Sequence, residues 1–151
     1  MSMKRDFPDL PPVWASGFLI AEVVAASVLP IAVFVSAPAT LIGIALIVVG
    51  VLLAAWSALW FRRKRTSIEP RDVPKALIVE GPFRINRNPI YTGMALVLVG
   101  LAFWIGALSA VAIALVFPFV ITARFIRGEE AALRSAFGAE AEAYIARTRR
   151  W

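Results

Sequence analysis

The sequence predicts an all-α integral membrane protein with about four transmembrane helices, a cytoplasmic loop and a C-terminal amphipathic helix. Three observations carry that class. Hydrophobic residues make up 60% of the chain, above the roughly 45–50% usual in soluble domains. They gather into runs long enough to cross a bilayer, which takes about 20 residues each. All 16 Lys and Arg residues lie in the N-terminal tail, between residues 62 and 88, or from Arg124 onward. The runs therefore join basic ends on one side to uncharged ends on the other, as the positive-inside rule requires. The whole chain, 1–151, reads as a single domain.

Met1–Pro12 is polar and proline-bearing, with Lys4 and Arg5 ahead of the first apolar run. Residues 13–35 form the first span. They are too long for the apolar region of a signal peptide and carry Glu22 inside. Pro30 is expected to kink this span near its far end. An uncharged turn, 36–38, leads into the second span, 38–61, which ends in Trp56, Trp60 and the basic cluster Arg62–Arg65 typical of an interface. The loop, 62–89, contains Pro70, Pro74 and Pro82, which preclude a long helix. Loops of this length tend to be functional or disordered. The next uncharged stretch is too long for one span and fits two, 90–105 and 108–126, turning at Trp104–Ser109 where Gly106 interrupts the pattern. Pro118 is expected to bend the returning helix. In the tail, Leu133, Phe137, Ala141, Tyr144 and Ile145 recur at helical spacing, which predicts an amphipathic helix over about 128–147.

The turns 36–38 and 104–109 contain no Lys or Arg, so both termini and the long loop are expected in the cytoplasm. The net charge of +6 is then a topology signal with an attraction to anionic lipid. Its arginines flank spans and form no soluble basic module, so nucleic acid is not an expected partner. There is no cysteine and no histidine. Disulfides and cysteine nucleophiles are excluded, the commonest general base is missing, and no metal is expected. Acid–base work falls to carboxylates, tyrosine, lysine or the substrate.

The most chemically loaded segment is Gly81–Gly93, GPFRINRNPIYTG. Gly81-Pro82 is a turn signal. Pro89 pushes Asn88 out of helical geometry and suits the first position of a helix. Tyr91 then falls in a first turn whose N–H groups lack partners and attract an acceptor. A capped helix entry with anchoring arginines explains the same residues. Spans three and four form a hairpin, so its two cytoplasmic ends are neighbours. That brings Arg87, Asn88, Pro89 and Tyr91 to Arg124, Arg127, Glu129 and Glu130, a group suited to a zwitterionic, partly cationic ligand. Glu129-Glu130 also reads simply as acidic residues favoured by the dipole of the tail helix.

The order R-N-P-I-Y at 87–91, an apolar hairpin, E-E at 129–130 and F-G-x-x-x-x-x-Y at 137–144 resembles the isoprenylcysteine carboxyl methyltransferase and phospholipid methyltransferase superfamily. The likeness runs from about Thr66 to Trp151. It includes Thr66–Pro70 and Leu77–Pro82, which resemble the approach to the motif in bacterial members. The resemblance implies a membrane enzyme of the bacterial inner membrane that uses S-adenosylmethionine. It implies a cofactor pocket lined by Leu77, Val79, Gly81, Pro82, Asn88, Pro89, Tyr91, Glu129, Glu130, Phe137 and Tyr144. Glu130 and Arg87 are the catalytic candidates: the carboxylate favours a sulfonium, and the guanidinium takes a carboxylate. Arg84, Arg124 and Arg127 would meet the head of a lipophilic acceptor, and Met94 its tail.

Asn88 stands where better-known members carry histidine, and it cannot act as a base. A carboxylate acceptor needs none, which favours a prenylated-cysteine-like carboxylate or a lipid head group; an amine or thiol acceptor would call on Glu129, Glu130 or Glu22. Methylation of a small diffusible thiol or amine stands as an alternative. A non-catalytic membrane subunit docking a partner or anionic lipid is another. Glu22, alone among acids within a span, is a functional candidate by its position; its carboxyl is expected to be protonated, or paired with Arg124 or the Ser57 hydroxyl, between helices.

Overall fold

A computed structural model describes residues 9–151; Lys4 and Arg5 lie outside the described residues. The described residues form helices α1 (Pro11–Val28), α2 (Ala37–Lys64), α3 (Pro89–Ile105), α4 (Leu108–Ile121) and α5 (Arg127–Arg147). A single 3-10 turn, Gly81–Arg84, interrupts the long loop, and a π-helical turn, Thr122–Ile126, joins α4 to α5. The protein is an all-α membrane protein. Three helical stretches, Pro11–Val28, Ala37–Lys64 and the continuous Leu108–Arg147, are long and apolar enough to cross a bilayer, and Pro89–Ile105 is a shorter apolar helix.

The first span is shorter than its sequence suggests. Pro30 has no N–H to donate and forces Leu29 out of helical geometry, so α1 stops at Val28 with Leu29 at φ −146°, ψ 78°. The following residues do not continue as a kinked helix. They cross the far end of the bundle and pair with the opposite turn, Phe34 N–H donating to Gly106 O (2.8 Å) and Leu108 N–H to Ala32 O (2.9 Å). Those bonds satisfy backbone that lipid could not.

Helices α2 and α3 pack as an antiparallel pair on facing glycines. A Cβ added at Gly50 would sit 2.5 Å from Gly93 O, and one at Gly43 would sit 2.5 Å from Gly100 O. Only hydrogen fits between these backbones, which is how helices associate where solvent gives no hydrophobic push. Leu98, Ala102, Ala110, Ala114, Phe117 and Ile121 form the buried centre of α3 and α4, and Phe18 of α1 meets Phe117 edge-on at 5.3 Å. Glu22 is fully buried, and neither of its oxygens has a hydrogen-bond partner among the described residues. The expected partners are taken: Ser57 donates to Leu53 O, and Arg124 pairs with Asp9.

Helix α5 holds its apolar spacing, with Ala141 and Tyr144 buried. It is not one straight rod. Gly138 sits at φ 50°, ψ −124°, a conformation that only glycine adopts readily, and the chain turns there. The long loop, the start of α1, the π turn and the C-terminal residues all meet at one end of the bundle, through Asp9–Arg124 and Asn86–Arg149 contacts.

Candidate functional site

At that end the motif loop is folded by its own side chains. Glu80, before the 3-10 turn, pairs with Lys64 at the end of α2, which holds its carboxyl below the ordinary range. Gly81 lies under the Trp60 indole, so close that a Cβ would sit 2.1 Å from Trp60 Nε1. Phe83 turns inward and its carbonyl accepts from Tyr144 Oη at 2.8 Å. Asn86 Oδ1 accepts the Asn88 N–H at 3.0 Å, and Asn86 Nδ2 donates to Thr92 Oγ1 at 3.1 Å. These bonds replace the side-chain cap that Asn88 does not supply to α3. Pro89 opens that helix, where a missing N–H costs nothing.

Asn88 instead reaches the C-terminus, its Nδ2 donating to Arg150 O at 2.9 Å. Arg87 does the same on a larger scale. Its N–H donates to Arg149 O at 2.8 Å, and its guanidinium donates to Ile145 O at 2.7 Å, to Thr148 O and to Glu130 Oε1 at 3.0 Å. Arg150 grips the same carboxylate with two bonds, Nε to Oε1 at 2.8 Å and Nη2 to Oε2 at 2.7 Å, the planar fork that suits guanidinium and carboxylate. Glu130 raises the Arg150 guanidinium above its ordinary value in return. Glu130 thus faces two cations already. Glu129, one residue earlier, accepts only the Tyr91 hydroxyl among the described residues.

These groups border a cavity of about 560 Å³ between the loop, the start of α1 and the α4–α5 junction, within the roughly 300–1,000 Å³ range of cofactor and ligand sites. Of the residues expected at the site, Leu77, Arg87, Asn88, Pro89, Tyr91, Met94, Arg124, Glu129, Glu130 and Tyr144 line it. Val79, Gly81, Pro82, Arg84, Arg127 and Phe137 do not. Val79 packs behind the wall against Ile78, Phe83 and Tyr144. Gly81 and Pro82 shape the turn beneath it, while Arg84 and Arg127 face out. Phe137 sits just before the break at Gly138. Arg124 is not free for a ligand: it donates from Nε and Nη2 to Asp9, which also takes Arg71. Together the two arginines hold the Asp9 carboxyl well below the usual range.

Three further residues contribute, of which only Glu69 falls in a stretch that resembles the family. Asp9 and Arg150 lie near the chain ends, away from any motif, and Glu69 lies in the stretch Thr66–Pro70 that resembles the family approach. That local likeness is the signal that flags Glu69. Asp9 and Arg150 carry none.

A second hollow, a groove of about 450 Å³, runs between α1, α2 and α3 along Ala15, Leu19, Gly50, Ala54 and Val97. It shares Ile68, Ile90 and Met94 with the cavity.

The family model for phospholipid methyltransferase matches residues 38–140. No curated protein and no solved structure matches the chain. The match covers more than half of the sequence and spans both the motif loop and Glu129-Glu130, so the chain belongs to the phospholipid methyltransferase family.

Proposed function

We propose that this single-domain protein transfers the methyl group of S-adenosylmethionine to a lipophilic acceptor at the cytoplasmic face of the membrane. The observation that carries the reading is the junction of cavity and groove. A largely apolar cavity beside the family motif, with Glu69, Arg87, Tyr91 and Glu129 as polar groups on its wall, continues across Ile68, Ile90 and Met94 into a groove of Ala, Gly, Leu and Val with no charged group. A head group and an alkyl chain would need those two surfaces, in that order.

The lining fits the cofactor. Leu77, Phe83 and Tyr144 give an apolar and aromatic wall for a base, and Glu129 gives a carboxylate with no cation against it among the described residues. When bound, S-adenosylmethionine supplies a positively charged sulfonium whose methyl group is displaced. Glu129 would favour that positive charge from its place on the cavity wall. Tyr91 fixes the carboxylate by its hydroxyl bond. Arg87 and Glu130 act by holding the α5 start and the C-terminal residues against the motif, so that Glu129 keeps its place. Positioning of this kind supplies rate without a covalent intermediate.

Activity toward acceptors with one head group should rise with chain length, since each buried methylene contributes about 0.8 kcal/mol. Met94→Gln should weaken the long-chain members most. Equal turnover of short and long acceptors, measured below saturation and below aggregation, would instead favour a small diffusible substrate. The orientation is tested separately. Ser36 is exposed at the end opposite the site, and Ser36→Cys in this cysteine-free chain should label from outside intact cells. Labelling only after lysis would overturn it.

A further inference from the structure

We propose that Glu69 selects the acceptor: its carboxylate receives a head group that carries positive charge or donates a proton, such as an amine. The proposal takes only the meaning of "acceptor" from the methyltransferase reading.

The loop holds Glu69 firmly. Ser67 Oγ accepts the Glu69 N–H at 3.1 Å and donates to Asp72 Oδ2 at 2.7 Å. The Asp72 N–H returns to Glu69 O at 3.4 Å, and Pro70 is buried. This small knot presents Glu69 to the cavity, which it lines. Its Oε2 is shielded from solvent and has no hydrogen-bond partner among the described residues. Buried polar oxygens are nearly always paired, and leaving one unpaired is costly. A donor arriving from the cavity would satisfy it.

The distribution of charge around the cavity says which donor. Its lining arginines are Arg71, Arg87 and Arg124, and each already meets an acid: Asp9 takes the first and third, Glu130 the second. Among the described residues no cation lies within ion-pair distance of Glu69, nor of Glu129. The uncompensated lining groups are therefore acidic. A carboxylate acceptor would enter a site whose cations are engaged and would add a third acid beside Glu69 and Glu129, whereas a cationic or proton-donating head offers those oxygens a donor. Absence of histidine at position 88 had pointed towards a carboxylate acceptor; the placement of Glu69 reverses that preference. Ile68, its neighbour, belongs to both cavity and groove, so a head at Glu69 has its tail already at the groove entrance, while Glu129 stays available to the donor.

Binding without donor tests this. Full-length protein in nanodiscs of zwitterionic lipid would be titrated by calorimetry with dodecylamine and with dodecanoate, against empty nanodiscs. The native chain should bind dodecylamine the more tightly. Glu69→Gln should weaken that binding roughly tenfold or more, the effect of losing a charge-assisted bond, and leave dodecanoate binding unweakened or tighter, while Glu69→Asp keeps most of the amine preference. Tighter binding of dodecanoate by the native chain, or equal losses for both ligands in Glu69→Gln, would overturn the proposal. Titration of the native chain with S-adenosylmethionine alone is the separate arm. Its failure would count against the methyltransferase reading and leave the acceptor result standing.

Discussion

Two clasps close the same cavity, and they are built to different strengths. On the C-terminal side, Glu130 is held by Arg87 and Arg150, with side chains of Glu130 and Arg87 only 7% and 10% exposed. Backbone carbonyls of residues 145, 148, 149 and 150 complete that clasp. On the N-terminal side, Asp9 holds Arg71 and Arg124, and these side chains are 21%, 42% and 53% exposed. Water competes for every charge in the second clasp and, in the first, only for Arg150, which is 39% exposed. Exposed pairs of this kind are worth about 0.2–1 kcal/mol, whereas removing one member of a buried pair costs about 3–5 kcal/mol because its partner is stranded. The C-terminal clasp therefore behaves as structure, and the loop carrying Glu69 and Arg71 is the more weakly tied wall of the cavity.

The largest effect should come from breaking the buried clasp. Glu130→Ala leaves Arg87 and Arg150 facing each other without their acid and should destabilise the protein by about 3–5 kcal/mol. Unfolding in detergent, followed by denaturant titration, measures it. A loss under about 1 kcal/mol would mean that water reaches the pair and that the two clasps are alike.

Part of this contrast is legible in the sequence. The hairpin formed by two uncharged runs requires Arg87 and Glu130 to be neighbours, although they are 43 residues apart. The glycines that seat α2 on α3 also leave a trace, because Gly43 and Gly50, like Gly93 and Gly100, recur at one face of a helix. The rest is not local. Arg150 reaches Glu130, and Asp9 reaches Arg124 over 115 residues, through segments that have no periodicity and no motif. Only the docked fold decides which of 16 basic residues meets which of ten acids. Pro30 shows the complementary case. Its chemistry forbids continuation of the helix, but whether the chain kinks or stops depends on a partner, and here Gly106 and Leu108 supply one.

Glu129→Gln should separate function from structure. Its side chain touches neither clasp, so the fold should hold, while the loss of one charge-assisted contact should weaken S-adenosylmethionine binding by roughly 1.5–3 kcal/mol. Unchanged affinity with an intact fold would remove Glu129 from the cofactor site. Tyr91→Phe deletes only the hydroxyl that orients this carboxylate. It should weaken the same binding by about 1 kcal/mol, less than Glu129→Gln in the same calorimetric series.

The smallest effect belongs to the exposed clasp, and it should appear as motion before stability. Asp9→Asn removes the charge shared by Arg71 and Arg124 and should cost at most about 1 kcal/mol. Amide hydrogen exchange over residues 66–74 should nevertheless speed up, because those residues are the ones Asp9 ties to the bundle. Exchange over residues 145–150 should stay as it was. The pH dependence has a definite sign. The folded Asp9 carboxyl is held below its ordinary value by Arg124 first and then Arg71. Its contribution is therefore fully present above the ordinary aspartate value, near 3.9, and fades only as pH falls through the depressed one. After correction for the intrinsic rate, protection of residues 66–74 should be flat from about pH 7 to about pH 5 in the native chain. It should be lower by a constant factor in Asp9→Asn over the same range. Equal exchange in both proteins would show that the loop is held by its own Ser67–Asp72 knot and not by the exposed clasp.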